Sequence, residues 1–245
     1  MEDTIKKLGY SPEAALMKAN EAGYTVEISV KTLYNNIDSG EIDVTRKDLL
    51  RKDGWKQGRT NPRKAANNLK GESIDHRPAE ANERIEYGHW EIDLVVSCKG
   101  GRGALLTLTE RKTRQEIIIR LPDKTQRAVK RAMDRLERRF GSKFKEKFKT
   151  ITADNGSEFL DFESLERSCK HNGKRVKMYF AHPYSSWERG SNENANGIIR
   201  RFFPKGTDFS KVSPAKIQAV EDWMNSYPRR ILGGISANAA AKAVA

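Results

Sequence analysis

The chain has 245 residues, and 46 Lys and Arg against 33 Asp and Glu leave a formal charge of +13. With a pI near 9.7, a mean hydropathy of −0.77 and no run near the ~18 consecutive apolar residues of a membrane helix, a membrane-spanning protein is excluded. Two cysteines, Cys98 and Cys169, are too few for a disulfide framework and lack zinc-ligand spacing. Met1 to Tyr10 holds no apolar stretch of the secretory type. The expectation is a cytoplasmic protein, nucleoid-associated in a bacterium, whose partner is a polyanion, with nucleic acid ahead of a membrane surface.

Residues 1–45 read as helical. Ser11-Pro12-Glu13 supplies a cap, a proline at the first helical position and a first-turn acid, and Gly23 ends the segment. A second start at Ser29 places Val30, Leu33, Tyr34 and Ile37 on one apolar face and stops near Gly40. Two short helices around a turn suggest a helix-turn-helix, with Lys31, Thr32, Asn35 and Asn36 turned toward DNA. The competing reading is a plain helical hairpin. Residues 46–86 form a basic linker, from Arg46 and Lys47 through Arg63 and Lys70, which is too poor in apolar residues to bury a core. It is either a solvated tether or an arm that tracks phosphates.

From residue 87 to 245 strands alternate with helices. Trp90–Val96, Gly103–Thr109 and Glu116–Leu121 read as strands, with a charged turn Glu110–Arg114 between the last two. A helix from Thr125 to Phe140 follows, whose Arg127, Arg131, Arg135 and Arg138 face reads as solvated. Thr150–Ala153 is a fourth strand, Glu158–Arg167 a helix and Val176–Phe180 a fifth strand. Helices from Asn192 to Phe203 and from Pro214 to Asn225 complete the pattern. A three-strand meander followed by helical crossovers predicts an α/β fold with a mixed five-stranded sheet flanked by helices.

Three acids stand out. On the first strand Trp90, Ile92 and Leu94 share one face, and Glu91, Asp93 and Val95 share the other. An acid in the middle of a core strand is costly unless it is paired or metal-bound. Asp154 ends the fourth strand before a turn with Gly156, the usual position of a functional group in an α/β sheet. Glu193 shares a helix face with Asn196, Gly197 and Arg200. Carboxylates alone make a hard-oxygen site, suited to magnesium or manganese and not to zinc. Taken singly, each acid has an ordinary alternative: a salt bridge, or a favourable charge at a helix N-terminus.

Gly88-His89-Trp90-Glu91-Ile92-Asp93, Thr152-Ala153-Asp154-Asn155-Gly156-Ser157-Glu158 and Pro183 through Trp187-Glu188-Arg189-Gly190-Ser191-Asn192-Glu193-Asn194 together resemble the insertion-sequence-30 family of bacterial transposases. The resemblance is close from Gly88 to Leu232 and looser before it, where Ile74-Asp75-His76-Arg77-Pro78 is similar to the family's pre-catalytic segment. It implies a ribonuclease-H-like core of the retroviral-integrase type, with Asp93, Asp154 and Glu193 as a metal-binding catalytic triad. Glu188 competes for the third place, but it precedes Gly190 whereas the family's glutamate follows that glycine. The resemblance further implies two magnesium ions (or manganese), nicking at terminal inverted repeats and strand transfer to target DNA. It also implies a homodimer or larger synaptic assembly. Arg189, Asn196 and Arg200 would contact DNA, and Asn155 would support the site or simply build its turn.

His89 and His182 read as structural, and Trp187 as packing rather than base stacking. Three departures stand against the family pattern. The interval from Asp154 to Glu193 holds 38 residues, with surplus expected as a surface loop around Ser168–Lys174. The N-terminus reads as short, and Ile231–Asn238 lacks a proline the family tends to have. Two rivals follow: a purely hydrolytic nuclease of the same fold, and a non-catalytic DNA-binding remnant.

Overall fold

The computed structural model describes residues 1–24, 26–49, 71–183 and 185–244. Most of the expected linker, including its run of basic residues from 51 to 70, lies outside the described residues. Residues 1–49 with Ser226–Ala243 form one compact unit, and residues 71–225 form another.

The first unit begins with α1 (Glu2–Lys6), α2 (Pro12–Glu21) and α3 (Val30–Ser39). Ser11 and Ser29 cap α2 and α3 by accepting the N–H groups of Ala14 and Thr32, and Gly40 ends α3 at φ +76°. Ile5, Ala15, Ile37 and Val44 form its small core. On α3, Leu33 and Ile37 are buried, Lys31, Thr32 and Asn35 are exposed and Asn36 is half-buried. Tyr34, expected on the apolar face, is instead exposed, because a 100° step per residue carries position 34 past the buried stripe set by 33 and 37.

The second unit holds α4 (Ala79–Glu83), β1 (His89–Val96), β2 (Ala104–Glu110), β3 (Glu116–Leu121), α5 (Gln126–Phe140), α6 (Phe144–Lys147), β4 (Thr150–Ala153), α7 (Phe162–Glu166), β5 (Lys177–Phe180), α8 (Gly190–Phe202) and α9 (Pro214–Ser226). The chain closes with α10 (Ala237–Lys242), which falls in the first unit. The five strands form one mixed sheet in the order β3-β2-β1-β4-β5. β1, β2 and β3 pair antiparallel, whereas β4 lies parallel to both β1 and β5. This is the ribonuclease-H-like α/β arrangement the sequence predicts.

Period-two alternation divides β1 between two cores. Trp90 and Ile92 pack with Val129, Met133 and Leu136 of α5, while Val95 packs with Ile199 of α8 and Val220 of α9. Trp90 stacks on Phe148 and donates its indole N–H to the Lys147 carbonyl at 2.6 Å. The expected helix at Glu158–Arg167 is shorter: a one-turn 3-10 segment, Ser157–Phe159, precedes α7, and Asp161 between them leaves helical geometry at ψ +55°. Residues 171–174 form an exposed loop closed by the Arg167–Lys174 bridge, as the surplus length requires.

Candidate active site

Asp93 and Asp154 each stand two residues beyond the parallel pair Glu91–Thr152, so two adjacent central strands bring them side by side. Their side chains are 23% and 39% exposed, open enough to meet a ligand. The Leu94 N–H donates to Asp93 Oδ1 at 2.8 Å, and the Gly156 N–H donates to Asp154 Oδ1 at 2.9 Å. A Cβ at position 156 would sit 2.8 Å from that oxygen and 2.9 Å from the Glu158 carboxylate, so a larger residue there would make both carboxylates shift. Asn155 donates to the Ala181 carbonyl at 2.8 Å, tying the turn after β4 to the end of β5.

Helix α8 runs alongside β1 in the same direction. Its Asn192 N–H donates to Glu91 Oε2 at 2.9 Å, Asn196 Nδ2 to Asp93 Oδ2 at 2.8 Å and Arg200 Nη2 to the Val96 carbonyl at 2.8 Å. One helical turn thus matches the two-residue step from Glu91 to Asp93, and the longer Arg200 side chain reaches on to Val96. Glu193 lies on this helix one turn from both Arg189 and Asn196; it is exposed and bonds to no described residue.

Arg189 occupies the gap between the aspartates. Its Nη2 donates to Asp154 Oδ2 at 3.0 Å, and its Nη1 lies 3.7 Å from Asp93 Oδ2 and donates to the Ile92 carbonyl at 3.3 Å. Burial pushes the Asp93 carboxyl up to about 6, with the Asp154 charge adding to the effect and Arg189 opposing it. Two crowded carboxylates bridged by a guanidinium form an all-oxygen donor pair that already holds one cation, and this chemistry fits a hard divalent ion.

The folded pKa of Asp93 lies above its ordinary value of 3.8, so its stabilising contribution is full below that value and is lost as pH rises through about 6. Only the ionised carboxylate binds metal. Manganese affinity, followed by titration from weakly acid to neutral pH, is expected to fall about tenfold per unit below roughly pH 6. An affinity flat across that range would contradict the assignment.

Glu91 shares the strand face of Asp93, but strand alternation alone does not assign it a role. Glu91 is wholly buried; Arg111 Nη1 donates to its Oε1, and the α8 backbone donates to its Oε2. The charged turn Glu110–Arg114 is also largely buried. Glu110 accepts the N–H groups of Gly88, Lys112 and Thr113, and Arg114 reaches Ser191 at the start of α8. Arg77 donates to Thr152 Oγ1 at 3.0 Å, two residues before Asp154, and burial lowers its pKa to about 10. The available signal was the acid at 91, an even step from Asp93 in a strand otherwise apolar on its other face.

Both flanking histidines are structural, as expected. His89 bonds Thr150 and Glu86, and His182 joins Glu188 at 2.8 Å to Asp75 at 3.0 Å, bonds that push its pKa up. Glu188 spends both carboxylate oxygens on His182. Trp187, expected to pack, is 75% exposed, because the 3-10 turn Ser186–Arg189 sends Glu188 and Arg189 inward and leaves the indole outside. Asp134, Glu137 and Cys169 also lie close together, but Arg175 pairs with both acids at 2.7 and 3.3 Å and burial raises the thiol pKa. That cluster is an ion-pair network.

Residues 83–186 match the family model described as Integrase core domain. The chain is 37% identical over 210 residues to a probable transposase for insertion-like sequence element IS1161 of Streptococcus salivarius, covering 85% of this chain and 57% of that protein. It is 35% identical over 240 residues to the transposase for insertion sequence element IS4351 of Bacteroides fragilis, covering 96% of this chain and 69% of that one. Against transposase InsI for insertion sequence element IS30A of Escherichia coli K12, identity is 32% over 237 residues, covering 92% of this chain and 59% of that relative. The chain therefore spans roughly three-fifths of the length of the relatives it matches. On this similarity and the five-stranded sheet described above, the chain belongs to the insertion-sequence-30 family of transposases with an integrase core.

Proposed function

We propose that the chain cuts DNA at the terminal inverted repeats of an insertion sequence and joins the freed ends to target DNA. The observation that carries this reading is the meeting of Asp93 and Asp154 from adjacent central strands, with α8 bringing Glu193 to within a turn of Arg189 and Asn196, the side chains that contact those aspartates. Asp93, Asp154 and Glu193 would hold magnesium or manganese, two ions in the full site. Such ions, when bound, lower the pKa of an attacking hydroxyl and neutralise charge on the departing oxygen of a phosphodiester.

The protein's own residues orient the reaction. Asn196 fixes the Asp93 carboxylate, the Gly156 N–H fixes that of Asp154, and Glu91 anchors the helix that bears Glu193. Water is the nucleophile in cutting, and the DNA 3′-hydroxyl is the nucleophile in joining. In each, a new P–O bond forms as the bond to the leaving 3′-oxygen breaks, so no protein nucleophile is needed. Arg189, Asn196 and Arg200 flank the acids and would meet phosphates. Lys31, Thr32, Asn35 and Asn36 on α3 would read the repeat, and the basic residues of 46–86 would follow the backbone between. The working form is a homodimer or larger assembly acting at the nucleoid.

Asp154→Asn separates an enzyme from a binding remnant. It is expected to bind repeat DNA as the wild type does and to cut none of it. Equal cutting by both proteins would remove Asp154 from the chemistry. Arg189→Gln tests the internal cation. Partly exposed ion pairs contribute up to ~1 kcal/mol, so the variant without DNA is expected to bind manganese up to about fivefold more tightly. An unchanged or weaker affinity would show that Arg189 does not compete with the metal.

A further inference from the structure

The outer face of α5 carries four arginines whose charge Asp123, close to Arg127 and Arg131, offsets only in part. The helix holds two acids, Asp134 and Glu137, and both turn inward to Arg175, with Glu137 also accepting from Ser168 and the Cys169 N–H. Arg127, Arg131, Arg135 and Arg138 are exposed and form no ion pair with any described residue. Steps of four, four and three place them in one stripe about 16 Å long at 1.5 Å per residue. Like charges at this spacing repel within the helix, so the stripe is best satisfied by an external polyanion.

The stripe leads toward the candidate active site. The N-terminal end of α5 adjoins a cavity lined by Lys99, Arg102 and Lys124, whose wall includes Val96 at the end of β1. Val96 lies three residues beyond Asp93, and its carbonyl accepts from Arg200. Lys99, Arg102 and Lys124 therefore lie between the end of β1 and the start of α5. No large apolar side chain of α5 is exposed. Neither a protein interface, which needs an apolar centre, nor an interfacial membrane helix, which needs an apolar outer face, fits this surface. A duplex carries a phosphate every 3.4 Å along each strand, so the stripe spans about five, and arginine forks suit them.

We propose that Arg102, Lys124, Arg127, Arg131, Arg135 and Arg138 form a track for the phosphate backbone of duplex DNA running away from the reacting phosphodiester. The track rests on the DNA-cutting reading above and adds a path and a direction to it. It serves any sequence alike, because it touches phosphates and no base edges.

The test is binding of a fluorescein-labelled duplex across a salt series. It compares the full chain, the quadruple variant Arg127→Gln, Arg131→Gln, Arg135→Gln and Arg138→Gln, and the corresponding quadruple Lys variant. Each phosphate contact contributes about 0.9 to the log–log salt slope. The Gln variant is expected to lose about 3.6 from that slope and at least tenfold in affinity at low salt, while the Lys variant keeps most of both. If the Gln variant fails to melt cooperatively, the pairs Arg127→Gln with Arg131→Gln and Arg135→Gln with Arg138→Gln are each expected to lose about half as much. A wild-type slope in folded Gln variants overturns the track while leaving the DNA-cutting reading intact. A wild type that binds no duplex at any salt overturns both.

Discussion

Glu193→Gln is expected to abolish metal-dependent DNA cutting, whereas Glu188→Gln leaves it within about tenfold of wild type. A metal ligand at a phosphoryl centre supports several kcal/mol of charge stabilisation, and each 1.36 kcal/mol is tenfold in rate. The loss at Glu193 is therefore roughly 10³-fold or more. Glu193 is exposed on α8 and makes no bond whose removal would unfold the helix, so the variant is expected to melt as the wild type does. Glu188 accepts from the His182 backbone and ring, a contact outside the cluster of Asp93, Asp154 and Arg189. Cutting rates on a labelled element end, with melting curves for all three proteins, make the comparison. The reverse pattern, with Glu188→Gln dead and Glu193→Gln active, would transfer the third acid to Glu188.

Glu91→Ala is expected to be among the most destabilising single changes in the catalytic unit. Glu91 is 0% exposed, and its removal leaves the buried Arg111 guanidinium and the Asn192 N–H without their acceptor. Breaking a buried pair from one side costs about 3–5 kcal/mol, which for a unit of this size lowers Tm by roughly 6–20 °C. Cutting should fall as well, because α8 is tethered to β1 at this point, and a displacement of about 1 Å at the reacting groups costs on the order of 10²-fold. Glu91→Gln keeps an acceptor for the Asn192 N–H, loses the charge opposite Arg111, and should fall between wild type and Ala. Thermal melts decide it: a shift below about 2 °C for Glu91→Ala would mean the pair contributes little.

Where side-chain period matched a single element, the sequence was legible. The alternation in β1 correctly divided Trp90 and Ile92 from Asp93 and Val95, and the helical repeat put Asn196 and Arg200 on the face that meets β1. The family resemblance then joined the three acid motifs. Contacts between distant segments were not legible. Nothing local in Glu110-Arg111-Lys112-Thr113-Arg114 distinguishes a solvated turn from one buried against β1 and α8, since its burial depends on partners at Glu91 and Ser191. The helices α1, α4 and α6 hold only four or five residues, too few for a period to register. Trp187 misled because an isolated tryptophan reads as core, and only the inward turn of its two successors exposes it. Arg189 was read as a DNA contact, and its place between the aspartates depends on the start of α8 at Gly190, two residues before the expected Asn192.

On the function proposed above, these acids serve strand joining as well as cutting. The most direct measurement incubates the purified chain with a labelled duplex ending in an exposed 3′-hydroxyl of the element's terminal repeat, together with a plasmid target, in magnesium or in chelator. Label covalently attached to the plasmid is expected in magnesium only, and none with Glu193→Gln. Cutting of the duplex without any joined product would identify a hydrolytic nuclease, and binding with neither reaction would identify a DNA-binding remnant; either result would contradict the proposed function.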